Sequence, residues 1–259
     1  MKKSTALLIF IILVYTFLIG PFLIIFLASF GSEELMTFPP KGFSLKWFHK
    51  VFTIVMFRDA FWSSLKIALG STASALILGA PIAYALVRFK FPGQNFIEVI
   101  FSSPAIIPGL VIGFALLRFF VLLTNLPILL GLYIGHTAIL LPYTVRVISS
   151  SLRNFDISIE EAAVSLGASR LKSFFIVILP SIKTGVVASF ILAFITSFNN
   201  VPVSLFLTGP GVATLPIQML VYMEYYFDPT IAALSSILIV FTVFIVQSAE
   251  KLIGISKYV

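Results

Sequence analysis

The chain has 259 residues, of which 59% are hydrophobic and only 10% are charged, and its mean hydropathy is +1.12. A soluble domain carries about 25% charged residues, so this composition excludes an ordinary water-soluble domain and indicates a polytopic membrane protein. The formal net charge of +7 does not indicate nucleic-acid binding, because Lys and Arg residues flanking membrane helices explain it.

The apolar residues are grouped into segments of about 20 residues, the length that a helix needs to cross a membrane. The first segment is longer than the apolar core of a signal peptide. Basic residues cluster at both termini and in the connections after the second and fourth segments, and the positive-inside rule assigns these to the cytoplasm. We predict an all-α fold, a single membrane domain over residues 1–259, with about six transmembrane helices at residues 5–30, 61–87, 97–123, 127–147, 181–207 and 229–248.

Residues 31–59 are predicted to be extracytoplasmic, between the first two spans. Pro39 and Pro40 interrupt this segment. An apolar side at helical spacing follows, formed by Trp47, Phe48, Val51 and Phe52. An interfacial helix would explain this composition, because aromatic residues and lysines favour the headgroup region. Contact with an external binding protein is the alternative.

The second predicted span carries a small residue at every fourth position, namely Ser71, Ala75, Gly79 and Ala83. Such a stripe allows another helix to approach closely, so it predicts helix packing. In the fourth predicted span, we expect His136 to satisfy a hydrogen bond between helices rather than to bind a ligand.

Residues 156–180 form a polar stretch between the fourth and fifth spans and must lie in water. Ser158 followed by Glu161 predicts a capping box at the start of a short helix, where acidic side chains suit the helix dipole. Gly167 is expected to end this helix in a left-handed conformation, and a second helical stretch continues to Pro180. The short helix could lie on the membrane surface or bind a cytoplasmic partner.

The motif in this stretch is Glu161-Ala162-Ala163, then Gly167 after three residues, then Val177-Ile178-Leu179-Pro180 after nine more. It resembles the EAA loop of permease subunits of binding-protein-dependent ABC importers, with Val177 where the usual pattern has Ile. In that family the loop forms a coupling helix that docks on the cytoplasmic ATPase. The resemblance implies the type I ABC importer permease fold and a prokaryotic inner membrane, with both termini and the loop 156–180 cytoplasmic. The ATPase-coupling residues that it implies are Glu160, Glu161, Ala162, Ala163, Leu166, Gly167 and Arg170.

The fifth predicted span carries a polar stripe. Ser189, Ala193, Ser197, Asn200 and Ser204 are spaced so that they share one face of a continuous helix. A polar stripe in lipid must face protein or water, so it either hydrogen-bonds to other helices or lines a solute path. The predicted path residues are Ser197, Asn199, Asn200 and Ser204.

The same region bears on the cargo. TSFNNVPVSLFLTGPG resembles the SxDDVxVSxFxTGP stretch of polyamine permeases, but Asn199 and Asn200 replace its two acidic residues. Carboxylates stabilise the positive charges of a polyamine far better than amides do. The expected cargo is therefore a small polar organic solute that is less cationic than a polyamine, such as an amino-acid-like or phosphonate compound.

Motifs for catalysis are absent. The sequence contains no G-x-x-x-x-G-K-[ST], no H-E-x-x-H, no G-x-S-x-G and no cysteine. We predict no enzyme activity, no metal and no cofactor, with ATP bound by the partner ATPase. The partners implied by the resemblance are a cytoplasmic ABC ATPase dimer, a second and homologous permease subunit, an extracytoplasmic solute-binding protein and membrane lipid, without nucleic acid.

The alternative function is an ion-coupled secondary transporter. Such a protein would need an intramembrane carboxylate for proton or Na⁺ coupling. The predicted spans contain only Glu98, at an inner edge.

Overall fold

The computed structural model describes residues 2–102, 107–123 and 126–253, and within these ranges the chain is helical and has no β-strand. The α-helices are α1 (Lys2–Ala28), α2 (Lys46–Thr53), α3 (Val55–Arg88), α4 (Gln94–Ser102), α5 (Gly109–Leu117), α6 (Ile128–Arg153), α7 (Ile157–Ser165), α8 (Arg170–Ser173), α9 (Leu179–Ser181), α10 (Lys183–Phe198), α11 (Pro202–Phe206), α12 (Leu215–Tyr225) and α13 (Thr230–Ile253). Two segments are π-helical, Arg118–Leu123 and Phe174–Ile178.

Four of the described helices, α1, α3, α6 and α13, are long and apolar enough to cross a membrane. The apolar part of α1, Thr5–Ala28, is exposed nearly all round. An apolar helix that is exposed in this way is stable in hydrocarbon or against another apolar surface, not in water. These four helices confirm the all-α membrane fold and the first, second, fourth and sixth predicted spans.

The other two predicted spans are not single helices. In place of the third, α4 ends at Ser102 and α5 begins at Gly109, and residues 103–106 lie outside the described residues. The fifth predicted span, residues 181–207, is not one helix. Arg170–Ser181 and Lys183–Phe198 meet at an angle of 76°, and the chain leaves helical geometry again before Pro202. The described part therefore contains four continuous spans, and five if the bent pair Arg170–Ser181 and Lys183–Phe198 forms one span, against the approximate prediction of six.

The described chain divides into two compact units. The first unit contains the residues up to Asp59 together with Gln218–Phe244. In it, the predicted helix at Trp47 is present as α2, and the Trp47 indole N–H donates to the Gly31 carbonyl at 2.7 Å. Lys50 forms a 2.6 Å ion pair with Asp228, which also accepts from the Tyr222 hydroxyl. These contacts fix the 31–59 segment to the residues that precede α13.

The second unit contains Ala60–Ile217 and the residues from Ile245 onward. In this unit α3 packs against α6, and the predicted small-residue stripe lies in this contact. The Thr144 hydroxyl on α6 donates to the Ala75 carbonyl at 3.0 Å, and the Ser71 hydroxyl donates to the Tyr133 carbonyl at 3.1 Å. A side chain at Gly79 would collide with Thr144. The prediction of close helix packing is confirmed.

Candidate coupling loop and translocation cavity

The N-terminus of α7 is capped by Asp156. Its carboxylate accepts a hydrogen bond from the Ser158 backbone N–H at 2.9 Å. This bond lowers the pKa of Asp156, because it stabilises the charged form. The prediction that Ser158 caps the helix and pairs with Glu161 in a capping box is therefore wrong by two residues. Asp is as good a cap as Ser, and here it precedes the helix directly.

The C-terminus of α7 is a Schellman motif. Gly167 has a φ of +91°. Its N–H donates to the Val164 carbonyl at 2.9 Å, and the Ala168 N–H donates to the Ala163 carbonyl at 3.1 Å. Gly tolerates this left-handed conformation without the steric cost that a Cβ brings. The predicted left-handed cap is confirmed, and it turns the chain sharply from α7 into α8.

The two adjacent acidic residues of α7 face opposite environments. Glu160 is only 7% exposed, whereas Glu161 is exposed. One carboxylate oxygen of Glu160 accepts from Arg88 Nε at 2.9 Å, and the other accepts a short hydrogen bond from the Tyr84 hydroxyl. Both partners lie at the end of α3, and Arg88 is as buried as Glu160. Glu160 is therefore tied to the body of this unit, and Glu161 is available to a partner.

The rest of the loop presents apolar side chains to the surroundings. Leu166 is 90% exposed and Leu171 is 70% exposed. Ala162 is exposed and Ala163 is half-buried. The Arg170 guanidinium lies over the Phe89 ring, 5.5 Å from its centroid, so it contacts the end of the α3 segment.

The predicted polar stripe does not lie on one helix. Helix α10 ends at Phe198 with Asn199 as its C-cap, and α11 starts at Pro202, whose missing N–H suits the first turn of a helix. In the break, the Asn200 side-chain oxygen accepts from the Val203 N–H at 3.0 Å. The expectation of a single continuous face was wrong, because an Asn side chain caps a new helix start instead of continuing the old helix.

His136 on α6 bridges the two sides of this break. Its Nδ1 lies 2.8 Å from the Ser197 hydroxyl on α10, and its Nε2 lies 3.1 Å from the Ser204 hydroxyl on α11. All three side chains are buried. The predicted interhelical hydrogen bond of His136 is confirmed, and both serines that we had assigned to the solute path are its partners.

A cavity of about 560 Å³ lies beside the break. Asn200 in the break and Thr196 on α10 contribute polar groups to its wall, and Tyr143 of α6 also lines it. The remaining described lining residues are apolar: Ile100, Ile107, Pro108, Gly109, Ile112, Leu116, Ala138, Ile139, Pro142 and Val203. Asn199 is exposed and Ser197 and Ser204 are buried, and none of these three is among the lining residues.

Sequence analysis missed Thr196 and Tyr143. Thr196 lies within the stretch that resembles the polyamine permeases, but its spacing of four from Asn200 indicates a shared face only on a continuous helix, and α10 ends at Phe198. Tyr143 gave no local signal, because only packing of α6 against α10 brings it to this wall. The described residues contain no group of three or more His, Cys, Asp or Glu side chains that could hold a metal ion.

The helical membrane fold defines the class of this protein. A solved permease-containing assembly, a bacterial ABC transporter involved in the import of the acidic polysaccharide alginate, has a chain with a TM-score of 0.71 and 18% identity, covering 96% of this chain and 95% of that chain. At this identity the likeness establishes the fold, which is that of the permeases of type I ABC importers.

Residues 75–253 match the family described as binding-protein-dependent transport system inner membrane component, and the chain belongs to this family. It is 34% identical over 236 residues to the putrescine transport system permease protein PotI of Escherichia coli K12, covering 88% of this chain and 84% of PotI. It is 30% identical over 241 residues to the spermidine/putrescine permease protein PotC of the same strain, covering 93% and 91%. The chain is therefore an inner-membrane permease subunit of an ABC importer, and an ion-coupled transporter finds no support.

Proposed function

We propose that this chain forms one half of the path of an ATP-driven importer and that α7 with the following turn is the docking element for the ATPase. The single observation that carries this proposal is Leu166, an apolar side chain with 90% exposure at the end of a capped helix that carries an exposed Glu161. Burying a Leu side chain is worth about 1.5 to 3 kcal/mol, so such a residue gains most by entering a partner's groove.

The proposed complex has further members. One six-helix half does not enclose a path, so a second, homologous permease subunit completes it. An extracytoplasmic binding protein delivers the cargo to the side of residues 31–59, and an ATPase dimer binds ATP in the cytoplasm. The loop 156–180 and both termini lie on that cytoplasmic side, in agreement with the basic residues beside the spans.

Two substitutions test the docking element. Leu166→Asp places a charge in the proposed groove, and Glu161→Lys reverses the charge beside it. Co-purification of the ATPase with the permease should fall in both, and solute uptake should fall with it, while membrane insertion is unchanged. Leu45→Asp is the matched control, since Leu45 is another exposed leucine, in the 31–59 segment. Wild-type co-purification of both loop variants would refute the proposal.

We also propose that the cavity beside the α10–α11 break is this chain's part of the solute path. Its described wall has no charged side chain, and its polar groups are an amide, two hydroxyls and backbone. Such a wall hydrogen-bonds a polar solute but does not neutralise several ammonium groups. The proposed cargo is thus a small polar organic solute less cationic than the polyamines named for PotI and PotC.

Competition for uptake tests the cargo class. The assembled complex with its own binding protein should import a labelled amino acid or phosphonate mixture in preference to labelled putrescine. The double variant Asn199→Asp with Asn200→Asp should improve putrescine passage when the binding protein is one that delivers putrescine. Efficient putrescine import by the unsubstituted complex would overturn this cargo assignment without affecting the docking proposal.

A further inference from the structure

Glu160 occupies a joint between two helices, which gives it a different role from the exposed part of the loop. Its carboxylate is held at both oxygens by residues of α3, through the 2.9 Å bond from Arg88 and the short bond from Tyr84. The Arg88 guanidinium also lies over the Phe155 ring at 5.9 Å, just before α7. A buried ion pair with this many contacts does not move apart easily, because separation leaves a charge without a partner.

Aromatic packing strengthens the same joint. The Tyr84 ring lies 5.0 Å from the Phe174 ring, which is part of the segment that follows α8. Phe174 belongs to a buried cluster with Ala83 and Leu86 of α3, and with Ile148 and Leu152 of α6. The short helix α7, the end of α3 and the end of α6 therefore form one packed body.

Two routes lead from α7 to the cavity, and they differ in the regularity of their helices. The route along the chain passes through the four-residue α8, a π-helical turn and Ile182, where the helical segments bend by 76°. Phe174, Ile178 and Ile182 of this route belong to the same buried cluster as the ends of α3 and α6, so its irregular turns are packed against the joint. The route through Glu160 enters α3, a single helix from Val55 to Arg88 that stays continuous although it contains Pro81.

The second route continues to the cavity through described hydrogen bonds. Helix α3 contacts α6 through the bond from Thr144 to the Ala75 carbonyl, and α6 carries His136. His136 in turn contacts Ser197 and Ser204, on either side of the break that contains Asn200. Contacts link every step from α7 to the cavity wall.

We infer that Glu160 is a positioning residue that makes α7 and the end of α3 one rigid body, so that ATPase-driven movement of α7 reaches the cavity through α3 and α6. This inference rests on the proposed docking function of α7. It removes Glu160 from the set of residues that touch the ATPase and gives it the task of transmitting the movement. Glu161 and Leu166 contact the ATPase, and Glu160 transmits the movement of α7 to α3.

A distance measurement tests the rigid body directly. The chain has no cysteine, so spin labels can be attached to cysteines at Ser165 on α7 and Lys90 just beyond α3, both of which are exposed. In the assembled complex, with partner subunits freed of reactive cysteine, the distance between the labels should be the same in the nucleotide-free and ATP-trapped states. Glu160→Gln combined with Arg88→Gln should broaden the distribution of label distances or make the distance differ between the nucleotide-free and ATP-trapped states. A wild-type distance that shifts between the two states would overturn the inference.

Transport gives the second readout. The same double variant leaves no unpaired buried charge, so it should fold and retain the ATPase on purification. Its uptake per ATP hydrolysed should fall by about 2- to 30-fold, the range expected when a coupling contact is lost. Tyr84→Phe removes only one hydroxyl, so it should lower the uptake per ATP hydrolysed by a smaller factor. This variant replaces the double variant in the test if the double variant folds poorly. Glu98→Gln is the matched control, because Glu98 forms an equally short ion pair with Arg153 that is largely exposed and does not involve α7.

The outcomes separate the two proposals. Loss of ATPase binding in the Glu160/Arg88 double variant would make Glu160 a docking residue and overturn the inference. Wild-type uptake per ATP in both the double variant and Tyr84→Phe would overturn it as well. Failure of the docking proposal has a different signature, namely retained ATPase co-purification in both Leu166→Asp and Glu161→Lys.

Discussion

Replacing His136 by Leu is the most informative test of how the break between α10 and α11 is held. His136 is 0% exposed, and it hydrogen-bonds Ser197 at 2.8 Å and Ser204 at 3.1 Å. Leu has a similar volume but no polar atom, so the substitution removes both bonds and leaves two buried hydroxyls without their partner. Side-chain hydrogen bonds between membrane helices average about 0.6 kcal/mol and reach about 1.7 kcal/mol, so two of them predict a loss of about 1 to 3 kcal/mol.

The serines provide the decisive second variant. A polar pair that is replaced on both sides by apolar groups costs little, because no group is left unsatisfied. We therefore expect Ser197→Ala and Ser204→Ala, added to His136→Leu, to recover most of the lost stability. Denaturation of the purified chain in mixed micelles measures the free energy of unfolding, and so gives both the loss in His136→Leu and the recovery in the triple variant.

The control is His49→Leu at the other histidine, which is exposed and should change stability by less than about 0.5 kcal/mol. His136→Leu with wild-type stability would refute the argument that this residue holds the break. A triple variant as unstable as the single one would show that lost hydrogen bonds are not the cause.

Three further predictions concern other parts of the chain. Burial is the largest single effect and by itself lowers the pKa of Lys50 and raises that of Asp228, but the hydrogen bonds and opposite charges around the pair together outweigh it, so the net pKa of Lys50 is raised and that of Asp228 is lowered. The pair therefore stabilises the chain fully between the unfolded pKa of Asp, about 3.9, and that of Lys, about 10.4. The stability gap between wild type and Lys50→Met should be constant over about pH 5 to 9, and it should shrink as the pH falls below about 4; a gap that grows in acid would contradict this. Gly167→Ala should destabilise the last turn of α7 by about 1 to 2 kcal/mol, because the left-handed φ of +91° and not a steric clash is the obstacle, and faster amide hydrogen exchange there would report it. A cysteine at Asn200 should react with a small water-soluble thiol reagent in the assembled complex, and a cysteine at the buried Ser197 should not; the reverse pattern would remove the cavity from the path.

The sequence by itself determined the membrane class and the position of the polar loop that we propose as the docking element. Apolar runs of spanning length are a local property of the sequence. In hydrocarbon the backbone must satisfy its own hydrogen bonds, and a helix does so within one segment. The left-handed end of α7 was equally local, since glycine at position 167 has no Cβ and accepts this conformation without steric cost. The stripe from Ser71 to Ala83 also predicted that another helix packs closely against α3. Small residues at helical spacing allow this approach whichever helix the partner is.

The tertiary structure decided which polar groups meet. Glu160 and Glu161 are neighbours in the sequence, and no spacing rule distinguishes the one that pairs with Arg88 from the one that is exposed. Their difference arises because the end of α3, which is distant in the sequence, packs against one side of α7. Similarly, the spacing of Ser197 and Ser204 suggested a path-lining face, but His136, more than sixty residues earlier, binds both. A polar side chain inside a membrane protein must find a partner, and only the packing of the helices determines which one.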